Sequence, residues 1–578
     1  MNPYCRRAAA KGVELARDTG GSCTVVTLGP SSADDVLREA VAWGADEGLH
    51  LCDNAFAGSD TLATAQALAT ALRARGPYDL ILLGRNSVDG ETGQVGPELA
   101  ELLDLPFASG VRQLEDRGPV LWLELEHDDG FQEVEVALPA VLSVAERLCD
   151  PCKVDPERRS AVPASQLRRI AAAELGPGPW GMAASQTVVG QTRTMDHERA
   201  RRILTGRLEL QVEEAVRALH LRGALTPQAA GTKAASAPQA QGPSVDRESH
   251  GRVIAVLTEP GRPQLVRELL GAAARLAGVV GAAVHALGPS DGVPPPDGAD
   301  LVLILEGSSV PEDVAGAVAD YVRESRPWAL LAPSTAFGRE VAARVAAATS
   351  SGLVGDAVEL SVRGGALVAG KPAFAGSLIA DITCRSSVQM VTVRPGVLTA
   401  PDPTPRPATV RHLEVPTRGR VSVLGEHRDD DVETLARAQV VIGVGTGVSP
   451  NEYERLSPLA AVLSAELAAT RKVTDRGWAP RSRQVGITGR SIAPRLYVAL
   501  GLSGKFNHVV GVRSAGTILA LNTDHEAPVF EHCDIGIVGD WHEAVPLLTE
   551  ALRSSACADA ADAADADRLW PKAASSKV

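Results

Sequence analysis

Aromatic side chains make up only 3% of this 578-residue sequence, and positive charge is not in excess: 57 basic residues face 71 acidic ones, a formal net charge of -14. A surface without a basic footprint lacks the counterion-releasing contacts on which nucleic-acid binding rests, and few aromatic platforms are present for exposed bases to stack on. A long apolar run is missing too. The best candidate, residues 268–287, is interrupted by Arg275 and His285, so nothing reaches the ~18 uninterrupted apolar residues of a membrane span. Cysteine is sparse: Cys5, Cys23, Cys52, Cys149, Cys152, Cys384, Cys533 and Cys557 are scattered along the chain, unlike the dense framework of a small secreted scaffold. A soluble protein of the reducing cytoplasm is the expectation. Met1 to Ser22 mixes Arg6, Arg7 and Lys11 with Glu14 and Asp18, lacks the apolar core of a signal peptide, and reads as the first helix of the fold.

Glycine (55 residues) and proline (38) are plentiful, and 45% of the residues are hydrophobic. At roughly 150 residues per domain the length corresponds to about four units. Residues 223–250, rich in Ala, Gln, Pro, Gly and Ser, lose all hydrophobic period and read as a flexible linker with a reach of roughly 30 Å. Pro401, Pro403, Pro405 and Pro407 mark a second break at 399–412, because proline suits neither a central strand nor a helix interior. From about Ser554 the chain ends in an Ala/Asp-rich tail. Short apolar runs at Cys23–Leu28, Leu80–Leu83, Val253–Leu257, Leu301–Leu305 and Trp328–Leu331 predict buried parallel strands, with helices at Pro311–Ser325 and Gly338–Thr349. The order of elements over Tyr78–Val144 returns over Pro327–Val393, as if one architecture were used twice.

The last third carries the densest chemistry. Gln439–Ile442 runs into G-V-G-T-G (443–447) and a helix expected near Ser449–Pro450, where free backbone N–H groups can face a phosphate. Further clusters follow: Thr470–Arg471, Q-V-G-I-T-G-R (484–490), G-L-S-G-K-F-N-H (501–508), Asn522 to Asp524, and Asp534, read as closing the next strand. Strand ends of this kind build ligand sites in parallel sheets. With no Ser-His-Asp order and no metal-ligand spacing, they read as cofactor binding without a nucleophile. Taken singly, Arg471 could be a surface ion pair, His508 a polar loop residue and Thr488 a helix cap.

V-G-I-T-G-R-S-I-A-P-R-L-Y-V-A-L-G-L-S-G (485–504), N-T-D-H-E-A-P-V-F (522–530) and D-I-G-I-V-G-D (534–540) resemble the alpha subunit of electron transfer flavoproteins. A-F-G-R-E-V-A-A-R-V-A (336–346), K-P-A-F-A-G (371–376) and V-T-V-R-P-G (391–396) extend that likeness over 251–552. Residues 1–150 resemble the beta subunit, in N-P-Y-C (2–5), A-W-G-A-D (42–46), V-D-G-E-T-G-Q-V-G-P (88–97) and L-P-A-V (138–141). The resemblance implies an α/β fold: two related adenine-nucleotide-alpha-hydrolase-like parallel-sheet domains and a C-terminal Rossmann-like (DHS-like) FAD-binding domain. The divisions it implies are a beta-type domain at 1–222 lacking the first strand, a linker at 223–250, an alpha-type domain at 251–400, the FAD-binding domain at 401–552 and a tail at 553–578.

That family implies an electron carrier with no converted substrate of its own, holding one FAD and one AMP. It would take electrons from flavin-dependent dehydrogenases of the acyl-CoA dehydrogenase type in fatty acid oxidation. They would pass to an electron transfer flavoprotein-quinone oxidoreductase or a similar acceptor. Carried over by motif, Arg471 would lie against the isoalloxazine, Thr488 near N5 and His508 at the pyrimidine side. Ser503, Asn507, Asn522 and Asp534 would hold the ribityl, phosphate and AMP parts, with Thr470, Gln484, Val485, Gly486, Gly501 and Gly504 lining the site. Asn2, Thr92, Gly93, Gln94 and Val95 would hold the AMP. Three positions depart from the family: Gly445 stands where an arginine is usual, Ile487 and Asn507 where glutamines are usual. The loss would weaken phosphate contacts by about 1.5–3 kcal/mol. Val154–Leu175 occupies the place of the partner-recognition loop, with Val162 as its apolar anchor and Arg168 and Arg169 for its basic run. A bifurcating form with two FAD and a nicotinamide donor stays open, as does a nucleotide-binding protein that has lost flavin function.

Overall fold

A computed structural model describes residues 1–87, 90–127, 130–194, 199–226, 251–290, 298–373, 378–398, 408–428, 434–435, 438–486, 489–490 and 492–555, with the side chains of Arg428, Phe506 and Asn507 left out. Two compact units result: residues 1–195 with 234–428, and 196–233 with 429–578.

The first unit contains the repeat. Its leading half has a three-stranded parallel sheet, β1 (Thr24–Leu28), β2 (Glu47–Leu51) and β8 (Leu167–Ile170), and a second sheet ordered β3-β7-β4-β5-β6. In the latter β3 (Leu80–Gly84), β7 (Ala140–Val144) and β4 (Phe107–Asp116) are parallel. β5 (Val120–His127) and β6 (Gly130–Ala137) continue antiparallel, and β21 (Val421–Arg428) pairs with β6. The trailing half has one seven-stranded parallel sheet, β15-β19-β14-β11-β12-β13-β20. Its strands are β11 (Arg252–Leu257), β12 (Ala282–Pro289), β13 (Leu301–Glu306), β14 (Ala329–Pro333), β15 (Gly352–Ala357), β19 (Gln389–Val393) and β20 (Thr409–Glu414). Laid on each other, β4-β7-β3 matches β15-β19-β14, and β1-β2-β8 matches β12-β13-β20. Only β11 has no counterpart among the described residues of the leading half, and there the sheet is split.

The split changes packing. β14 is buried along its whole length, whereas β1 and β3 are half-exposed throughout. The helix Pro3–Thr19 lies directly on β3: a Cβ on Gly84 would meet the backbone nitrogen of Cys5 at 2.7 Å, so glycine there is what permits the approach. In the trailing half two apolar clusters, around Ile254, Leu269 and Val391 and around Leu330, Val318 and Val345, cover both sheet faces. The two halves meet at the helices Val95–Leu103 and Ala336–Thr349. There the fully buried Arg344 pairs with Glu101 (3.1 Å), Glu340 (3.2 Å) and Glu312 (3.5 Å). Burial pushes Glu340 up to about 7, so it shares a proton near neutrality and eases the excess of carboxylates.

The second unit is a six-stranded parallel sheet, β10-β26-β25-β24-β22-β23. It comprises β10 (Arg202–Leu204), β22 (Val440–Val444), β23 (Glu466–Ala469), β24 (Leu496–Leu500), β25 (Thr517–Asn522) and β26 (Ile535–Val538). The chain runs from β22 outward to β23 and then returns to β24 on the other side, which puts the topological switch point between β22 and β24. β10 and the helix Leu208–Leu221, which packs against the helix Trp541–Ser555 through Val212, Val216 and Leu548, belong to this unit. The expected boundary at 222 is therefore displaced: composition changes at 223, but the chain has joined the other sheet about twenty residues earlier.

Candidate functional site

At the switch point the turns after β22 and β24 touch through their backbones. Gly447 N donates to Gly501 O (3.1 Å), and a Cβ on Gly445 would lie 2.3 Å from Gly501 O. No side chain fits at 445, so the expectation of an arginine lost from that position is corrected; the turn's one outward-facing side chain is the exposed Thr446. The expected helix at Ser449–Pro450 is a 3-10 segment, Pro450–Leu456, and an α-helix begins only at Ser457, where Pro458 favours a fresh start. Trp541 Nε1 donates to Gly447 O (3.2 Å) and so ties the last helix to the glycine turn.

Asn522 braces the next turn, donating to Leu502 O (3.0 Å) and accepting from Asp524 N (3.0 Å). Val529 N bonds Ser503 O (3.1 Å), which leaves the exposed Ser503 side chain facing outward. Gly504, at φ +70°, leaves no space for a side chain, since a Cβ would meet Val529 Cα at 2.2 Å. Thr470 precedes the short helix Arg471–Asp475, and Arg471 Nε pairs with Asp475 (3.1 Å) on a half-exposed surface. Gln484 is buried and accepts from Thr474 Oγ1 (2.7 Å), and Val485 N bonds Ala469 O (3.0 Å), which holds 484–486 beside β23. Thr488 and Ile487 lie outside the described residues.

His508 is corrected in character. It is buried, with Nδ1 3.0 Å from Val485 O and Nε2 2.7 Å from Tyr497 Oη, and burial pushes it down to about 4. At neutral pH the ring is uncharged and both nitrogens are engaged, so it braces the site and supplies no cation. Its partner Tyr497 was not among the expected residues. The signal was Gly443 inside an apolar strand: β22 pairs with β24, and the space that a Cβ on Gly443 would take is filled by the Tyr497 hydroxyl.

Asp534 is also corrected. It precedes β26 at the opposite end of the sheet from Gly445, Ser503 and Asn522. Buried there, it pairs with Arg199 (2.7 Å) and Arg222 (2.9 Å) and accepts from Ile518 N (2.8 Å). This carboxylate locks β10 and the helix Leu208–Leu221 to the sheet. Only residues that follow a strand reach the carboxyl edge of a parallel sheet, and after β26 that residue is Asp540. His542, through its backbone N–H (3.0 Å) and its ring (2.7 Å), hydrogen-bonds Asp540 and lowers its carboxyl below the usual range.

In the first unit, Asn2 caps the opening helix by accepting from Tyr4 N (2.9 Å) and donates to Asn86 O, which ties the chain start to the end of β3. Glu91 (φ +52°) and Gly93 (φ +64°) both adopt the left-handed conformation. Gln94 is buried and accepts from Thr61 Oγ1 (3.0 Å); Val95 starts the helix. Gly355 of β15 packs on Thr92 and Gln94. Next to it, burial alone would raise Asp356, but Arg339, Arg394, Lys371 and Ser334 hold it near about 2. Among the described residues Lys371 Nζ is buried without a hydrogen-bond partner, in the field of Asp356 and Glu91, and burial pushes it down. The matching turn of the other half is filled by its own side chains: Thr335 caps Gly338 N (3.0 Å) and donates to Glu259 (2.5 Å). The related turn at 90–94 has no such side-chain cap among the described residues.

Comparison with known families decides the class. The electron transfer flavoprotein domain matches residues 1–169 and 256–417, together more than half of the chain, and the electron transfer flavoprotein FAD-binding domain matches 434–513. The chain belongs to the electron transfer flavoprotein family. It is 37% identical over 270 residues to protein FixB of Azorhizobium caulinodans, covering 44% of this chain and 73% of that protein. With the electron transfer flavoprotein subunit alpha of Thermoanaerobacterium thermosaccharolyticum it shares 33% identity over 271 residues, 44% of this chain and 81% of the relative. The same organism's subunit beta is 36% identical over 227 residues, 38% of this chain and 86% of that subunit. This electron transfer flavoprotein thus joins a beta-type and an alpha-type half in one chain, and its cofactor is FAD.

The C-terminal edge suits that cofactor: two glycine-rich turns with close backbones, an outward hydroxyl at Ser503 and a carboxylate at Asp540 match what a pyrophosphate and a ribose require. The segment expected to recognise partners takes another form. Leu167–Ile170 is strand β8, Val162 is buried with Val13 and Val41, Arg169 pairs with Asp34 (2.5 Å) and Arg168 with Glu174 (3.5 Å). Val162 is therefore not an exposed anchor. The Cys149 and Cys152 thiols are both pushed up by burial, Cys152 to about 11, which disfavours the thiolate that metal or disulfide exchange needs. Among the described residues no helix is long and apolar enough to cross a membrane.

Proposed function

We propose that this electron transfer flavoprotein holds one FAD across the β22–β24 switch point and one AMP in the loop Glu91–Val95. Bound there, FAD supplies the one- and two-electron redox chemistry. The chain's own part is to hold it. The amides of the turns after β22 and β24 and the Ser503 hydroxyl would take the pyrophosphate and ribityl groups, Asp540 the ribose hydroxyls, and Arg471 the flavin ring. Thr470, Gln484, Val485 and Gly486 form the wall beside the ring, stiffened by His508 and Tyr497. For AMP, the amides of Thr92 to Val95 face the phosphate with Lys371 near, and Asn2 fixes the loop's neighbour Asn86. The chain takes electrons from flavin-dependent dehydrogenases and hands them to a quinone oxidoreductase or similar acceptor in the cytoplasm.

The observation that carries this reading is the pair of turns in backbone contact at the switch point, Gly447 N to Gly501 O at 3.1 Å, within the FAD-binding domain. The test is the nucleotide released on denaturing the purified chain, quantified beside its visible spectrum. One FAD and one AMP per chain is the expected result. Two FAD would replace this reading with the bifurcating form, and no flavin after incubation with FAD would overturn it.

A further inference from the structure

Where β26 ends, the sequence G-D-W-H (539–542) builds an arrangement that the family reading does not use. His542 stacks on Trp541, ring centroids 4.0 Å apart at 28°, and holds two carboxylates from different elements. Its Nδ1 lies 2.7 Å from Asp540 Oδ1 and its Nε2 2.9 Å from Glu452 Oε1 on the 3-10 segment Pro450–Leu456. Trp541, the other half of the stack, binds Gly447 O. The imidazole therefore joins the carboxylate at the nucleotide edge to the segment that follows the glycine turn.

We infer that His542 is a positioning residue for the nucleotide end of FAD, whose charged form neutralises Asp540 and Glu452 so that an anionic cofactor can approach. The inference rests on the reading that FAD occupies this edge. Charge decides the direction. Ionised Asp540 and Glu452 sum to -2, which opposes a pyrophosphate arriving at the same edge; an imidazolium between them reduces this to -1. The turn after β22 offers no cation of its own, since Thr446 is neutral and position 445 admits no side chain. Both neighbours favour the protonated ring: hydrogen bonds to Glu452 and Asp540 raise the His542 pKa above the usual 6.5. A group raised in this way is charged at low pH and loses its charge as pH rises through the raised value, so FAD binding weakens in the alkaline direction. The ring is part-exposed, and the effect is accordingly modest, about three- to fivefold in affinity.

The test uses the full chain stripped of flavin and titrated with FAD from pH 5.5 to 9, with bound flavin followed by fluorescence quenching. The wild type should lose about three- to fivefold affinity across the His542 transition. His542→Phe, which keeps the stack on Trp541, should bind FAD more weakly at pH 6 and show no such transition. Glu452→Gln, which leaves the ring one carboxylate, should move the transition to lower pH. Flat wild-type affinity, or an unchanged transition in His542→Phe, would overturn the inference while leaving FAD at this edge. Failure of every form to bind FAD at any pH would overturn the inference together with the reading beneath it.

Discussion

Gly443 and Tyr497 share one space in the FAD-binding sheet: a Cβ on Gly443 would lie 1.6 Å from the Tyr497 hydroxyl and 2.3 Å from Cζ. The hydroxyl is there because His508 Nε2 holds it at 2.7 Å, and the other nitrogen of that ring holds Val485 O. A glycine in one strand thus lets a phenol in the next reach across and fix the wall that carries Gln484 to Gly486.

Gly443→Ala should therefore destabilise the C-terminal unit by about 1–3 kcal/mol or more, as overpacking of a closed interior does. The cost should shrink in a Tyr497→Ala background, because the side chain that collides has gone. Urea unfolding of the four members of this cycle measures the coupling. Equal costs in both backgrounds would show that the two residues do not share the space.

A second prediction concerns pH. Glu98, in the helix Val95–Leu103, is fully buried with a carboxyl oxygen 2.9 Å from Thr61 Oγ1, and burial raises it to about 8. Its folded value lies above the ordinary carboxyl value of 4.5, so its protonated form is favoured by folding. Stability is thus fully present below about 4.5 and is lost at roughly 1.4 kcal/mol per pH unit up to about 8. Glu98→Gln, which keeps the shape without the charge, should flatten that slope and gain most over wild type near pH 8.5. Unfolding midpoints of both proteins at pH 5.5 and 8.5 decide it; parallel shifts would mean that Glu98 titrates like an exposed carboxyl.

These residues show how far the sequence could be read. Short apolar runs and the glycine-rich clusters at their ends marked strands and turns that the sheets contain, because backbone geometry imposes those residue types locally. What escaped were long-range relations. Val162 looked like the apolar anchor of a recognition loop, yet β8 pairs with β2 and the side chain is buried with Val13 and Val41. His508 looked like a polar loop residue at the flavin, yet it is buried, and the cost of burying charge leaves it neutral between a donor and an acceptor partner 11 and 23 residues away. Residues 199–222 looked like part of the leading half, yet Arg199 and Arg222 find Asp534 more than 300 residues later.

Arg471 is the residue expected to set the flavin's potential. Its guanidinium is shared with Asp475 and half-exposed, so its attraction for an electron on the flavin is screened to about 1 kcal/mol, or roughly 40 mV for one electron. Arg471→Ala should lower the potential by that order without changing the unfolding curve. A redox titration of the FAD-loaded chain measures it, and an unchanged potential would mean that the side chain points away from the ring.

The two aspartates flanking β26 should separate stability from cofactor binding. Asp534 compensates Arg199 and Arg222 inside the protein, and Asp534→Ala leaves both cations without their carboxylate, a change that costs about 3–5 kcal/mol when a buried pair is broken. Asp540 lies at the other end of the same strand, half outside, and among the described side chains His542 alone engages it. Its removal should leave the unfolding midpoint within about 0.5 kcal/mol of wild type, while FAD affinity falls by roughly tenfold for the loss of a charged hydrogen bond to a ribose. Thermal unfolding and FAD titration on both variants give four numbers, and the assignment requires them to cross. If Asp534→Ala folds as well as wild type and loses FAD while Asp540→Ala keeps it, the carboxylate that serves the cofactor is the one that opens the strand and not the one that follows it.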